Sequence, residues 1–460
     1  MLRLTQHDFL SARDLFEGTL VLGNPGSGKT STTGTALPMA ALQAGWGVVA
    51  YCTKPDDAAF FERLCRESGR LPQLRIIRPD GRTHFNLIRY ELQRPSQGGG
   101  NTLKLAALLT EVFREGNPAS AATDSSEFFD RQAQILLCNT LDALRLADEP
   151  LSFESIGRLI ESIPKDPSER ETDQWRRSFC CEVLMRADQR TRDTGQERLF
   201  EVVSSYCLVT VPNMNERTRG DVFATVESAL FQLNRDPVRD LLDSPDGCDF
   251  VPEMLEDAAV LVIDCPVSVY GPVGRMLTIC FKRLVKEMAR RRVSQGDATR
   301  PILSFADEAQ TYATRDDADF QQVCRSNRIA TVFLTQSIDN FTAVLGNEAH
   351  TNSLAGALTN LVVHATAGHN AEWVQNRIAS AWRSMESVNL PGRNPEQPPQ
   401  SPGMNLSESL HPQVLASELT RLRTGGPRNN GLVDAVIFKP GRAFHASGGA
   451  PFVRVTFQQS

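Results

Sequence analysis

Eight consecutive residues, Gly23-Asn-Pro-Gly-Ser-Gly-Lys29-Thr30, constrain this chain more than any other stretch of it. They satisfy the pattern G-x-x-x-x-G-K-[ST] at every fixed position. The run Thr19-Leu-Val-Leu22 before them is short and apolar, as a buried strand requires, and Thr30 to Gln43 reads as a helix of small and apolar residues. A strand–loop–helix unit of this kind turns backbone N–H groups inward around an anion, and the helix N-terminus adds a favourable dipole. The expected ligand is a nucleoside triphosphate. Gly23, Asn24, Pro25, Gly26, Ser27, Gly28, Lys29, Thr30 and Ser31 form the cradle. In such a loop the lysine, Lys29, reaches the β- and γ-phosphates, and the hydroxyl of Thr30 ligates Mg2+.

The rest of the composition narrows the setting. At 460 residues the chain has room for about three domain-sized units. A net charge of −6 provides no global basic field, so contact with nucleic acid would have to be local, for example along a pore. The ten cysteines contain no C-x-x-C pair, and Cys180-Cys181 are the closest two. Scattered thiols of this kind fit a reducing compartment. Among the seven histidines, His364 and His369 stand alone and are expected to bind no metal. No apolar run approaches the length of a membrane span and no signal peptide is evident, which predicts a soluble, cytoplasmic protein.

Short apolar runs alternating with helical stretches predict an α/β fold with a mostly parallel sheet. The expected strands are 19–22, 47–51, 75–78, 259–263, 302–306, 331–334, 361–363, 433–438 and 452–457. From about Thr102 to Leu242 the periodicity is helical, with helices expected at 103–113, 125–146, 153–163, 173–187 and 221–233. This divides the chain into a first part of a nucleotide-binding domain (1–100), an inserted all-α domain (101–245) and a second part of the nucleotide-binding domain (246–460). The Pro-rich segment Leu390 to Gly403 is expected to be an exposed loop, and Thr424 to Gly431 is a second turn-rich stretch.

A hydrolytic phosphate-loop enzyme needs an acidic strand end to hold Mg2+ and orient water. Two segments qualify. Val260-Leu-Val-Ile-Asp264 ends in a single acid, whereas Ile302-Leu-Ser-Phe-Ala-Asp307-Glu308 ends in two. A lone Asp at a strand end commonly serves as a helix cap, so Asp307 is preferred as the metal residue and Glu308 as the group that polarises water. Next, Thr331-Val-Phe-Leu-Thr-Gln336 runs into a glutamine at a strand C-terminus, the end that faces the ligand crevice in such sheets. Gln336 is therefore a candidate sensor of the γ-phosphate. The intervening segment Asp316 to Ala330 reads as a helix ending in Cys324-Arg325-Ser-Asn-Arg328. Its arginines are ordinary partners for a helix C-terminus, or one of them reaches a neighbouring subunit's nucleotide as an arginine finger. A basic run, Lys282 to Arg292, reads either as a solvated face or as a helix near DNA.

Taken in order, GNPGSGKT at 23–30, the helical insertion, ILSFADEAQ at 302–310 and TVFLTQS at 331–337 resemble the HerA/FtsK superfamily of ring-forming, DNA-pumping ATPases, and most of all the TraD/TraG-type coupling proteins of conjugation and type IV secretion. The resemblance spans nearly the whole chain. It implies a RecA-like P-loop ATPase core, a homo-oligomeric ring expected to be a hexamer, and a trans-acting arginine on the helix before the Gln-bearing strand, where Arg325 stands with Arg328 in reserve. It also implies DNA as a partner, of unspecified strandedness. Membrane-bound coupling proteins carry a transmembrane region ahead of the phosphate loop, whereas 22 residues precede Gly23 here. The expectation is a soluble member that works with a protein partner such as a relaxase, a membrane component or an effector nuclease, recruited by it to the inner membrane. The competing reading is an ATP-gated assembly platform that binds a protein and pumps nothing. The acidic balance and the lack of an evident basic or aromatic groove favour it. No N-K-x-D or L-S-G-G-Q signature directs the chain to guanine-specific switches or transporter ATPases.

Overall fold

The computed structural model describes residues 2–94, 99–116, 124–245, 247–292, 299–378, 380–389 and 403–459. The chain forms two compact units, one of residues 1–40, 307–310 and 330–460, the other of residues 41–306 and 311–329.

The first unit is built on strands in the order Phe452–Gln458, Leu432–Phe438, Asn360–Val363, Thr19–Leu22 and Ile329–Thr335. The last three run parallel and the first two form an antiparallel hairpin on their edge. The parallel strands are buried along their whole length, which is why they read as unbroken apolar runs rather than alternating ones. Their register decides where function can sit. Leu22 is opposite both Thr335 and Val363, so the next residue of each strand, Gly23, Gln336 and His364, leaves the sheet at one level.

The second unit carries four parallel strands in the order Ile302–Ala306, Gly47–Tyr51, Val260–Ile263 and Leu74–Ile77. It also contains a helical region in which every described helix or strand from 102 to 242 is a helix. The longer ones are Thr102–Gly116, Asp124–Leu146, Phe179–Thr194 and Glu216–Leu233. Their ends follow local chemistry. Asn215 accepts from the backbone N–H groups of Arg217 and Thr218, and Gly195 closes Phe179–Thr194 in the left-handed conformation.

Several elements depart from the sequence expectation. The helix after the phosphate loop is Thr33–Gln43, not one starting at Thr30, because Thr30–Thr32 belong to a turn in which the Gly34 N–H donates to the Lys29 carbonyl and the Thr32 hydroxyl to that of Gly28. The stretch 173–187 is broken at Arg177-Ser178, where Ser178 caps a new helix. The helix Asp316–Cys324 stops before Arg325, and the following strand begins at Ile329. A ribbon of Ser380–Asn389 paired with Gly403–Pro412 was not foreseen. Its second strand has apolar residues at alternate positions, Met404, Leu406 and Leu410, with Glu408 interrupting the series, and Trp382, Leu406 and Leu410 are exposed. The Pro-rich loop expected at 390–403 lies outside the described residues except for Gly403, which opens the second strand of that ribbon. Among the described residues no helix is long and apolar enough to cross a membrane.

The basic run at 282–292 is neither a solvated face nor an open basic surface. It is the end of the helix Val267–Arg291, and its charges are consumed in ion pairs. Lys282 and Lys286 are each 4 % exposed and both reach Asp317, at 2.6 Å. Arg283 and Arg290 pair with Asp316, Arg291 with Glu253, and Arg292 with Glu256. Burial opposes ionisation of Asp317, but the two lysines outweigh it and hold the carboxyl below the usual carboxylate range. The network fastens the helix Asp316–Cys324, and with it Arg325, to the long helix. Removing the shared acid by Asp317→Ala leaves two buried ammonium groups short of a partner, and is expected to cost about 3 kcal/mol of stability, read as a lowered urea midpoint at unchanged slope.

Candidate nucleotide-binding site

The phosphate loop is anchored to the strands on either side of it. The Gly23 N–H donates to the Thr335 carbonyl at 3.3 Å, and the Asn24 N–H to that of Ala365 at 2.9 Å. Two of its glycines are dictated by space as much as by conformation. A Cβ on Gly23 would lie 2.5 Å from Ser27 Oγ and 2.9 Å from His364 Cβ. One on Gly28, whose φ is +83°, would lie 2.7 Å from Val433 Cγ2. The loop thus folds against the C-terminal hairpin as well as around its own anion site. Gly26, Ser27, Gly28, Lys29, Thr30, Ser31 and Gln459 line a recess of about 220 Å³.

The acidic strand end meets the loop directly. The Thr30 hydroxyl donates to Asp307 Oδ2 at 2.9 Å, and Lys29 Nζ lies 3.5 Å from Glu308 Oε1. The same Glu308 oxygen accepts from Gln336 Nε2 at 2.6 Å, while its second oxygen accepts from Gln310 Nε2 at 3.0 Å. Asp307 in turn accepts from the Glu308 backbone N–H. Glu308 has φ of +48°, an uncommon conformation for a residue with a Cβ, and one that side-chain contacts of this kind must sustain. Asp307 and Glu308 are 4 % and 8 % exposed. All of these residues belong to the first unit.

The structure therefore brings together Lys29, Thr30, Asp307, Glu308 and Gln336. It does not draw in Asp264, which sits in the second unit with its carboxylate 2.8 Å from Arg78 Nη2. Burial pushes the Asp264 carboxyl up, with Arg78 opposing. Arg325 also belongs to the second unit, and its side chain is exposed with no hydrogen bond or ion pair among the described residues. Arg328 is half-buried and holds φ at +54°. The donor set fits a magnesium nucleotide: a carboxylate and a hydroxyl touching, both hard oxygens, beside a buried lysine.

Three neighbours of the site escaped sequence reading. Gln310 could have been noticed as the glutamine two residues after Glu308. Gln459 carries no local signal, being 428 residues from Ser31, to which it donates. His364 stands alone in sequence but follows the strand beside the loop, and its Nε2 lies 2.9 Å from Thr33 Oγ1. Burial, helped by the charge of Lys29, lowers the His364 imidazole to about 4.

No family model and no curated protein sequence matches this chain. Solved structures do. The bacterial conjugative coupling protein TrwB, lacking its first 70 residues and in an unbound form, superposes with a TM-score of 0.65 at 15% identity, over 99% of this chain and 90% of that one. The chain shares the fold of TrwB. TrwB in complex with ADP and Mg2+ gives a TM-score of 0.64 at 15% identity, covering 100% of this chain and 91% of TrwB. TrwB with the ATP analogue ADPNP gives 0.63 at 15% identity over 100% and 90%. The α/β class, with a RecA-like core, a mostly parallel sheet and an inserted helical part, is the architecture that TrwB and this chain have in common.

His364 offers a check on the site's geometry that needs no ligand. Between pH 6.5 and about 4 the unfolded chain takes up a proton on this imidazole that the folded chain refuses. Stability is therefore full above pH 6.5 and falls as pH drops across that window. Replacing His364→Gln removes this contribution. The native protein should lose up to about 3 kcal/mol more than the variant between pH 6.5 and 4, as measured by denaturant unfolding at each pH.

Proposed function

We propose that the protein is a Mg2+-dependent ATPase that assembles as a ring, expected to be a hexamer, and couples hydrolysis to movement of DNA. The observation that carries the ATPase reading is the sharing of one buried carboxylate, Glu308, by the phosphate-loop lysine and by Gln336 from the neighbouring strand. A carboxylate so placed stands next to whatever Lys29 holds and is aligned by a side chain that moves with the adjacent strand. Gly23 to Ser31 cradle the phosphates, with Lys29 on the β- and γ-groups. Thr30 and Asp307 supply the oxygens for the metal, whose charge, once bound, offsets that developing on the phosphates. Glu308 orients the attacking water and accepts its proton. Gln336 senses the γ-phosphate, and Arg325 of one subunit completes the site of the next, with Arg328 as the alternative. Residues 101–245 are taken as an inserted all-α domain within a nucleotide-binding domain of 1–100 and 246–460.

Support for DNA movement comes from likeness to TrwB, a conjugative coupling protein by name. Relaxases, membrane components and effectors are the partner classes that fit such a role, in the cytoplasm or brought by a partner to the inner membrane. One observation favours a second reading, an ATP-gated platform for a protein partner. The cations of the basic run at 282–292 are spent on ion pairs with acids among the described residues rather than left open to DNA.

Steady-state hydrolysis separates the two. With Glu308→Gln as the blank, a translocase gives ATP turnover that rises severalfold with single- or double-stranded DNA, in a salt-sensitive way. Turnover indifferent to both forms rejects DNA movement in favour of the platform, and turnover equal in Glu308→Gln rejects the catalytic assignment. Arg325→Ala alone should be inactive but should recover partial activity when mixed with Lys29→Ala, since each supplies the half-site the other lacks. No recovery in rings shown to be mixed contradicts a trans role for Arg325.

A further inference from the structure

The end of the last strand supplies Gln459 to the recess, and the turn at Thr424–Gly431 lies beside it, but neither has yet been given a role. In the C-terminal hairpin Leu432 is opposite Gln458, which leaves Gln459 beside the turn. Gly425 and Gly426 both take positive φ, at +81° and +72°, and a Cβ on Gly425 would fall 2.5 Å from Gln459 Oε1. The Gly426 N–H donates to that oxygen at 2.9 Å, and the Gln459 N–H donates to the Gly431 carbonyl at 2.8 Å. A backbone N–H can only donate, so the amide's orientation is settled: oxygen toward the turn, nitrogen toward the phosphate loop. There Nε2 donates to Ser31 Oγ at 3.1 Å, and Ser31 Oγ donates onward to the Gly28 carbonyl at 3.3 Å. Gln459 also lines the recess, and every other lining residue comes from the loop itself.

We infer that Gln459 is a nucleotide-binding residue, its amide N–H donating to the α-phosphate side of a nucleoside di- or triphosphate, with the 424–431 turn as the brace that aims it. The inference rests on the nucleotide reading above. Lys29 and Thr30 account for the terminal phosphates, and Ser31, next along the chain, lies toward the α-phosphate, which such loops hold by backbone N–H groups. A primary amide has two N–H bonds. One is spent on Ser31, and the other, without an acceptor among the described residues, is left for the ligand.

The glutamine-to-glutamate change is the discriminating variant, since Gln459→Glu keeps an oxygen for the Gly426 N–H while replacing the donor by a charged acceptor. Binding of ADP with Mg2+ is measured by calorimetry for the full chain and for Gln459→Ala, Gln459→Glu and Lys29→Ala. Loss of one hydrogen bond to a charged group should weaken ADP about tenfold in Gln459→Ala. Gln459→Glu, facing phosphate with a carboxylate, should be weaker still. Glutamate binding as well as or better than alanine would show that Gln459 only braces the turn, and unchanged affinity in both would also overturn the inference. A native protein that binds ADP no better than Lys29→Ala contradicts the nucleotide reading itself, an outcome distinct from either.

Discussion

A carboxylate buried to the extent of Glu308 is stable only if its charge is met, and Glu308 is met from three directions: by Lys29, by Gln336 and by Gln310. Each partner comes from a different part of the fold, the loop after one strand, the end of the next strand, and the turn that carries the acid. The positive φ of Glu308 and the buried position of Asp307 follow from the same knot. So does a practical consequence. Glu308 Oε1 is shared by Lys29 and Gln336, so a change at either side chain alters the charge balance felt by the other.

The sheet makes that meeting possible. Three parallel strands in matched register release Gly23, Gln336 and His364 at one level, so residues more than 300 positions apart become neighbours without any of them being specified locally. Gly23 then has to lack a side chain because Ser27 and His364 fill the space. The fixed glycine of the motif is explained by packing here, beyond the flexibility usually cited for it.

Much of this was legible in the sequence, for identifiable reasons. The phosphate loop, the buried strands and the Asp307-Glu308 pair are local patterns, and of the two acidic strand ends Asp307 meets Thr30 while Asp264 pairs with Arg78. What was not legible depends on contacts distant in sequence. The pairing of Gln459 with Ser31, and of His364 with Thr33, has no local signature. The basic run at 282–292 misled because charge on a helix says nothing of what faces it; Asp316 and Asp317 lie some 30 residues on. The ribbon of 380–389 with 403–412 gives a weak strand signal because its alternate apolar positions are interrupted by Ser384, Glu386 and Glu408. Likeness to TrwB speaks for the architecture, and the chemistry has to be argued from the side chains that occupy it.

The most direct test is a crystal structure of the protein with Mg2+ and a non-hydrolysable ATP analogue. The analogue is expected in the loop of residues 23–31, with a cation between Thr30 and Asp307 and Lys29 moved from Glu308 onto the phosphates. A nucleotide bound elsewhere, or bound with the Lys29–Glu308 pair undisturbed, would contradict that expectation.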